Sequence, residues 1–147
     1  MYKIIGLMLT RDDITFLEDW LIRYRKEFDE IFALDGSIEY KKYSKELLLK
    51  YDVKYNHDSD YHFIKKTDHT LRAVIYNQIK KHIQNENKNI DYWIVLIHPD
   101  EFYIENIRSV IDKAIKYNME LIIYNSLHNM PHINDKEVYL KTKDYND

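Results

Sequence analysis

Five residues, His98-Pro99-Asp100-Glu101-Phe102, follow directly on the apolar run Tyr92-Trp93-Ile94-Val95-Leu96-Ile97. A short continuous apolar run of this kind reads as a strand buried on both faces. The acids therefore stand where that strand stops, and in open α/β sheets this is the edge at which ligands bind. A carboxylate fixed there by strand backbone can hold a hard divalent cation, and the cation can hold a diphosphate. Asp100 is the candidate ligand. His98 adds an imidazole that can ligate Mn²⁺ or donate a hydrogen bond but suits Mg²⁺ poorly. The plain structural alternative is helix-start punctuation, with proline in the first turn and acids at the positive end of the dipole.

Other stretches carry chemistry of the same sort. Thr10-Arg11-Asp12-Asp13 follows a first apolar run, and Asp35-Gly36-Ser37 follows a second with ordinary turn composition. His57-Asp58-Ser59-Asp60-Tyr61-His62 is rich in ligating side chains but reads first as a solvated loop. His82 lies near an apolar helix face and reads as a packed boundary residue. His128 and His132, in Leu127-His128-Asn129-Met130-Pro131-His132, read structurally as a prolyl loop. Functionally they are candidates for a ligand contact, a metal ligand or a general base.

The elements that must position these residues alternate along the chain. Lys3-Ile4-Ile5-Gly6-Leu7-Met8-Leu9 reads as a buried strand. Leu17, Trp20, Leu21, Tyr24 and Phe28 then fall at helical spacing behind Asp12 and Asp13, acids suited to a helix start. Glu30-Ile31-Phe32-Ala33-Leu34 predicts a strand, residues 42–50 a short helix, and Val53-Lys54-Tyr55 a weak strand. A polar loop covers 56–64. The longest helix follows, with Leu71, Val74, Ile75, Ile79 and Ile83 at i, i+3, i+4 spacing and Thr67 or Asp68 as its cap. After the 92–97 strand come a helix marked by Ile104, Ile107, Ile111 and Ile115, a fifth strand at 120–124, and an edge strand at 137–140.

Strands separated by helices of this length imply βαβ units. The expected fold class is α/β: a three-layer, Rossmann-like arrangement with a mostly parallel sheet flanked by helices. Helix N-termini and strand C-termini then share one edge. Asp12, Asp13, Asp35, Ser37, His57, Asp58, Asp60, Arg72 and Asp100 are all expected near it.

Composition narrows the classes. The 147 residues are enough for one domain with a real core. Basic and acidic residues, 22 and 25 in number, are interleaved and leave no stripe for nucleic acid. The absence of cysteine excludes disulfides and thiolate zinc sites. No apolar stretch approaches the roughly 20 residues of a membrane span, and the first strand starts too early to leave room for a signal peptide. A cytoplasmic protein is expected, with peripheral membrane contact left open. The only glycines, Gly6 and Gly36, form neither a dinucleotide fingerprint nor a P-loop. A phosphate ligand would therefore need neutralising by a metal or by basic side chains.

Taken in order, these stretches resemble the nucleotide-binding half of the GT-A (nucleotide-diphospho-sugar transferase) glycosyltransferases, particularly the family-2-like group. Thr10-Arg11-Asp12-Asp13 falls where that family has an Arg-Asn-Glu-like stretch, and Leu34-Asp35-Gly36-Ser37 is similar to its Asp-Asp-Gly-Ser turn. His98-Pro99-Asp100-Glu101-Phe102 is similar to its D-x-D-E-F segment, with His98 in place of the first acid. Arg72-Ala73-Val74-Ile75-Tyr76-Asn77 resembles the stretch that closes over the diphosphate. The likeness covers about residues 3 to 132.

The resemblance implies that Arg11 and Asp13 lie beside the nucleotide, that Asp35 contacts base or ribose, that Arg72 approaches the diphosphate, and that Ser37 and His98 belong to the same nucleotide-sugar site. Asp100 would bind Mn²⁺ or Mg²⁺ bridging the two phosphates. The implied reaction is inverting transfer of a sugar from a nucleoside diphosphate donor to the hydroxyl of a glycan or other acceptor. Most of the acceptor-binding half of such enzymes is expected to be lacking. Two alternatives follow from the same residues. One is a donor-binding module without turnover. The other is a receiver-like regulatory domain, against which no Asp ends the third strand cleanly and no Lys follows the fifth.

Overall fold

The computed structural model describes residues 1–57, 68–86, 90–103, 105–119, 126–130 and 138–141. The chain, which the sequence reads as one domain, divides into two compact units, Met1–Pro99 and Asp100–Asp147.

In the first unit β1 (Tyr2–Thr10), β2 (Glu30–Asp35), β3 (Lys54–His57) and β4 (Asp91–Ile97) form an all-parallel sheet in the order β3-β2-β1-β4. Parallel neighbours need crossovers. Here α1 (Leu17–Tyr24) with a 3-10 turn at Arg25–Glu27, α2 (Lys41–Lys50) and α3 (Asp68–Gln84) supply them. The α/β expectation with a parallel, helix-flanked sheet holds for this unit.

β1 takes the centre because its residues are apolar on both faces: Ile4, Ile5, Leu7, Met8 and Leu9 are all buried. On one face Ile5, Leu7 and Leu9, with Phe32 and Leu34 of β2, pack against Leu71, Ile75 and Ile79 of α3. Those three helix residues keep the i, i+4 spacing of a single stripe, and each fully buried side chain is worth about 1.5–3 kcal/mol of transfer free energy. The opposite face holds Phe28, Ile31 and Ile97 around Gly6. The Phe28 ring lies 5.7 Å from Trp20 of α1, which is itself fully buried.

Chain direction follows from strand order. Going β1 to β2 to β3 steps one way, and going β3 to β4 steps back past β1. Right-handed crossovers therefore put α3 on the face opposite α1. The reversal between β1 and β4 is a topological switch point.

Several local expectations are corrected. β4 was expected to be buried on both faces, yet among its residues only Ile97 is buried and Leu96 is 47% exposed. The reason is position, since among the described residues β4 pairs only with β1. α1 starts at Leu17 rather than behind Asp12 and Asp13. Asp12 adopts a left-handed φ of 48°, and Asp13 Oδ1 accepts the Phe16 N–H at 3.2 Å. Both features hold that stretch as a loop before the helix begins.

The second unit contains an antiparallel sheet, β5 (Glu101–Tyr103), β6 (Ser126–Met130) and β7 (Val138–Lys141), in that order. Its helix α4 (Ile107–Lys116) is capped by Asn106, whose side chain accepts the Ser109 N–H at 3.1 Å. The sequence reading began this helix at Ile104 and took the 98–102 acids as its alternative start. A short strand intervenes instead, and the cap is Asn106. His128, read as loop, lies on β6. The predicted edge strand at 137–140 is β7. The predicted strand at 120–124 and most of the 56–64 loop lie outside the described residues.

Gly6 offers a test of the packing. A Cβ there would lie 2.4 Å from Ile97 Cδ1, 3.1 Å from Ile31 Cγ1 and 3.2 Å from Phe28 Cδ1. Gly6→Ala is expected to cost about 1–2 kcal/mol by overpacking, measured by urea unfolding. In an Ile97→Val background, which removes the nearest atom, the cost of Gly6→Ala should shrink. Equal costs in both backgrounds would show that the contact with Ile97 is not the cause.

Candidate functional site

Parallel register aligns the strand ends. Thr10 pairs with Asp35, and Asp35 with His57, in one row across the carboxyl edge of the sheet. Met8 pairs with Ile97, so His98 leaves β4 at the same edge. The stretches singled out at Thr10–Asp13, Asp35–Ser37, His57 and His98 therefore converge within the first unit.

The centre of this edge is a buried carboxylate. Asp35 is fully buried. Its Oδ1 accepts from the Ser37 backbone N–H at 2.9 Å and from the Ser37 hydroxyl, and its Oδ2 accepts from the Tyr55 hydroxyl at 3.2 Å. Ser37 Oγ also accepts the Asp12 N–H at 2.7 Å and lies 3.2 Å from Ser44 Oγ. Asp12 Oδ1 in turn accepts the backbone N–H groups of Ile38 at 3.1 Å and Tyr40 at 3.0 Å. Gly36 N–H donates to Thr10 O at 2.9 Å, and His57 Nε2 lies 2.9 Å from Ser37 O. The loops after β1 and β2 and the strand β3 are thus tied together by side-chain hydrogen bonds. Asp35, expected at base or ribose, and Ser37, expected in the same nucleotide-sugar site, have their polar atoms engaged inside this knot.

A second feature stands beside β4. Arg72, in the first turns of α3, donates from Nη2 to His98 Nε2 at 2.7 Å, and both residues are half-buried. A guanidinium only donates, so His98 Nε2 accepts and the ring proton sits on Nδ1. These two residues were both expected at the donor, and the fold brings them into contact. Among the described residues no carboxylate pairs with Arg72. Thr10 was not given a role of its own by its sequence. Its side chain is 3% exposed and its Oγ1 has no hydrogen-bond partner, a state that costs about 1–3 kcal/mol.

Of the remaining candidates, Arg11 is exposed and Asp13 half-buried, both in the loop that follows β1 at this edge. Asp100 is exposed and belongs to the second unit, as does His128, whose backbone pairs with Glu101 on β5. His132, Asp58 and Asp60 lie outside the described residues. The Mn²⁺ or Mg²⁺ that the resemblance assigns to Asp100 finds no cluster of ligands there, since among the described residues Asp100 belongs to no group of three side chains close enough to share a cation, and the neighbouring His98 Nε2 already accepts a guanidinium proton. These residues do not fit a divalent ion bound at that nitrogen.

Among the described residues, the one group with three side chains close enough to share a cation is elsewhere, at the amino end of the sheet. It comprises Glu30, His82 and Glu86, with ligand atoms all within 4.8 Å of one another. His82 Nε2 lies 2.9 Å from Glu30 and 3.4 Å from Glu86. Each carboxylate already has a lysine, Glu86 pairing with Lys3 at 2.6 Å and Glu30 with Lys54. Tyr92 also donates to Glu86 at 2.8 Å. The group is therefore a charge-balanced ion-pair network that ties α3 to three strand starts. His82 packs 5.5 Å from the Phe32 ring, as its boundary reading expects.

Sequence reasoning missed Thr10, Tyr55 and the Glu30–His82–Glu86 group. The i, i+4 spacing of His82 and Glu86 was a visible signal for part of the last. Comparison with protein-family models, curated proteins and solved structures finds no match to this chain.

The two polar clusters make opposite pH predictions. Burial first, then the charge and hydrogen bond of Asp35, pushes the Tyr55 phenol from 10.0 up to about 12. A raised folded value adds stability that is complete below pH 10 and lost as pH rises towards 12. Tyr55→Phe is expected to flatten that part of the alkaline unfolding profile, and an unchanged slope would rule out the Asp35 contact as its source.

At the other end, burial pushes Glu30 up, but the hydrogen bonds from Lys54 and His82 outweigh it and leave the carboxyl below its usual 4.5. Glu86 is likewise lowered, chiefly by the Lys3 hydrogen bond and then that of Tyr92. Their stabilisation is present above pH 4.5 and lost as pH falls through the lowered folded values. Glu30→Gln should make the acid limb of the stability profile shallower, as followed by circular dichroism.

Proposed function

We propose that the carboxyl edge of the first unit binds a nucleoside diphosphate sugar and that the chain serves glycosyl transfer of the GT-A type. The observation that carries this reading is the Arg72–His98 hydrogen bond at the switch point between β1 and β4. Ligands of open α/β sheets bind outside strand carboxyl ends at such reversals. Two residues chosen for a donor site on sequence grounds meet there. The orphaned Thr10 hydroxyl at the end of β1 is further support, since a buried polar group without a partner calls for one.

In this reading the Thr10–Asp13 loop and the 35–37 turn form a wall for the nucleoside, with Arg11 and Asp13 beside it. The knotted Asp35 carboxylate acts on that wall indirectly, by holding its shape. Arg72 faces the diphosphate, whose charge grows as the bond from the anomeric carbon to the phosphate oxygen breaks. The acceptor oxygen forms the new bond in a single inverting displacement as the diphosphate leaves, and its proton passes to a general base. Strand order argues against the receiver-like alternative. Receivers place the third strand next to the first, whereas β3 here lies outside β2.

Calorimetry with UDP-, GDP- and dTDP-sugars tests the reading. Binding of at least one is expected, weakened by Arg72→Ala. No binding to any of the three would refute it. Binding without detectable transfer or donor hydrolysis would favour a donor-binding module over an enzyme.

A further inference from the structure

We infer that diphosphate charge at this edge is met by Arg72, held in place by His98, and not by a divalent metal ion. The inference rests on the donor reading above and sharpens it, because it names what neutralises the donor's phosphates.

The starting point is what the edge lacks. Gly36 is the only glycine among the loops there, and its N–H is already given to Thr10 O. No glycine-rich nest of free backbone donors is built into it. Charge must therefore be supplied by a metal or by a side chain.

The position at which the resembled family carries an acid holds His98, and its Nε2 lone pair is directed at Arg72 Nη2, 2.7 Å away. A divalent ion on that nitrogen would have to expel the guanidinium and then remain beside its positive charge. Among the described residues, the one group of three potential ligands, Glu30, His82 and Glu86, is at the amino end of the sheet with its carboxylates already paired to lysines, and Asp100 belongs to no such group.

Arg72 has the opposite suitability. Its planar fork matches phosphate oxygens, which it can bind through two parallel N–H donors. The bond to His98 uses one nitrogen and fixes the plane of the fork. Its remaining N–H groups stay available as donors, and no carboxylate among the described residues competes for them. His98 is thus a positioning residue: it orients the cation and takes no phosphate itself. Its carbon–nitrogen ring also puts no negative charge next to the ligand, which an acid at position 98 would do.

The test is calorimetry of the whole chain with inorganic pyrophosphate and with UDP, GDP and dTDP, in EDTA and again with Mn²⁺. Pyrophosphate is expected to bind in EDTA. Arg72→Gln should weaken it about tenfold to a hundredfold, the usual worth of a charge-assisted hydrogen bond, while Arg72→Lys should lose less. His98→Asp, which installs an acid against Arg72, should weaken metal-free binding and make what remains respond to Mn²⁺. Circular dichroism melts of each variant separate loss of binding from loss of fold.

Pyrophosphate binding in EDTA that depends on Arg72, without binding of any nucleotide, would support the inference and sink the nucleotide-sugar reading. Binding that requires Mn²⁺ would overturn the inference and leave that reading standing. Binding in EDTA that Arg72→Gln does not change would also overturn it, and so would no binding under any condition.

Discussion

A carboxylate taken wholly out of water must be met by donors, and in this protein that demand falls on Asp35. Its two oxygens draw the Ser37 backbone and hydroxyl on one side and the Tyr55 phenol on the other. Through Ser37 the same network reaches the Asp12 N–H, and through Asp12 it reaches the backbone of Ile38 and Tyr40. The loops after β1 and β2 and the strand β3 are thereby fixed relative to one another. Every other feature of the carboxyl edge, including the aligned row of Thr10, Asp35 and His57, is built on this fixed frame. A buried network of this kind works only when each member is satisfied. The Thr10 hydroxyl, on the residue next to Asp35 in register, is the one buried polar group beside it without a partner among the described residues.

The frame and the Arg72–His98 pair divide the edge between two kinds of work. On the β2–β3 side polar groups are spent on one another and give rigidity. On the β1–β4 side a cation is oriented by a neutral ring and keeps donors to offer. The switch point separates these regions, because α3 crosses to the face opposite α1 only after β3 is complete. Arg72 can meet His98 for that reason: the helix that follows β3 must pass over β1 to deliver the chain to β4. The amino end of the sheet completes the balance. There Lys3, Lys54, Glu30, His82 and Glu86 cancel one another's charge around the last turns of α3, and they hold in place the helix whose other end carries Arg72.

Much of the first unit was legible in the sequence because its signals are periodic and long. Leu71, Ile75 and Ile79 mark one stripe of α3, and the apolar residues of β1 announce a doubly buried strand. The convergence of Asp12, Asp35, His57 and Arg72 on one edge followed from βαβ topology alone. What was not legible depends on register or on very short pieces. The sequence placed Arg72 and His98 in one site but not in contact, since their meeting requires knowing where α3 crosses β1. Tyr55 looked like part of a weak strand, and only the alignment of β3 with β2 brings its hydroxyl to Asp35. Glu101-Phe102-Tyr103 is too short for alternation to show, so a strand there was read as the approach to a helix. The exposure of Leu96 reflects the place of β4 in the strand order, which composition does not encode.

The central place of β1 has a consequence for how the unit reaches its native state. Tyr2 is paired with Asp91, and Ile5 with both Glu30 and Ile94. The strand made first in this unit thus waits for the strand made last, and until then one of its hydrogen-bonding edges is open. Contacts this distant along the chain close slowly, because the entropy of the intervening loop is lost before any pairing energy returns. During that interval β1 is a bare apolar template. The order of synthesis therefore leaves a strand that the finished sheet buries on both faces exposed along one edge in the unfinished one.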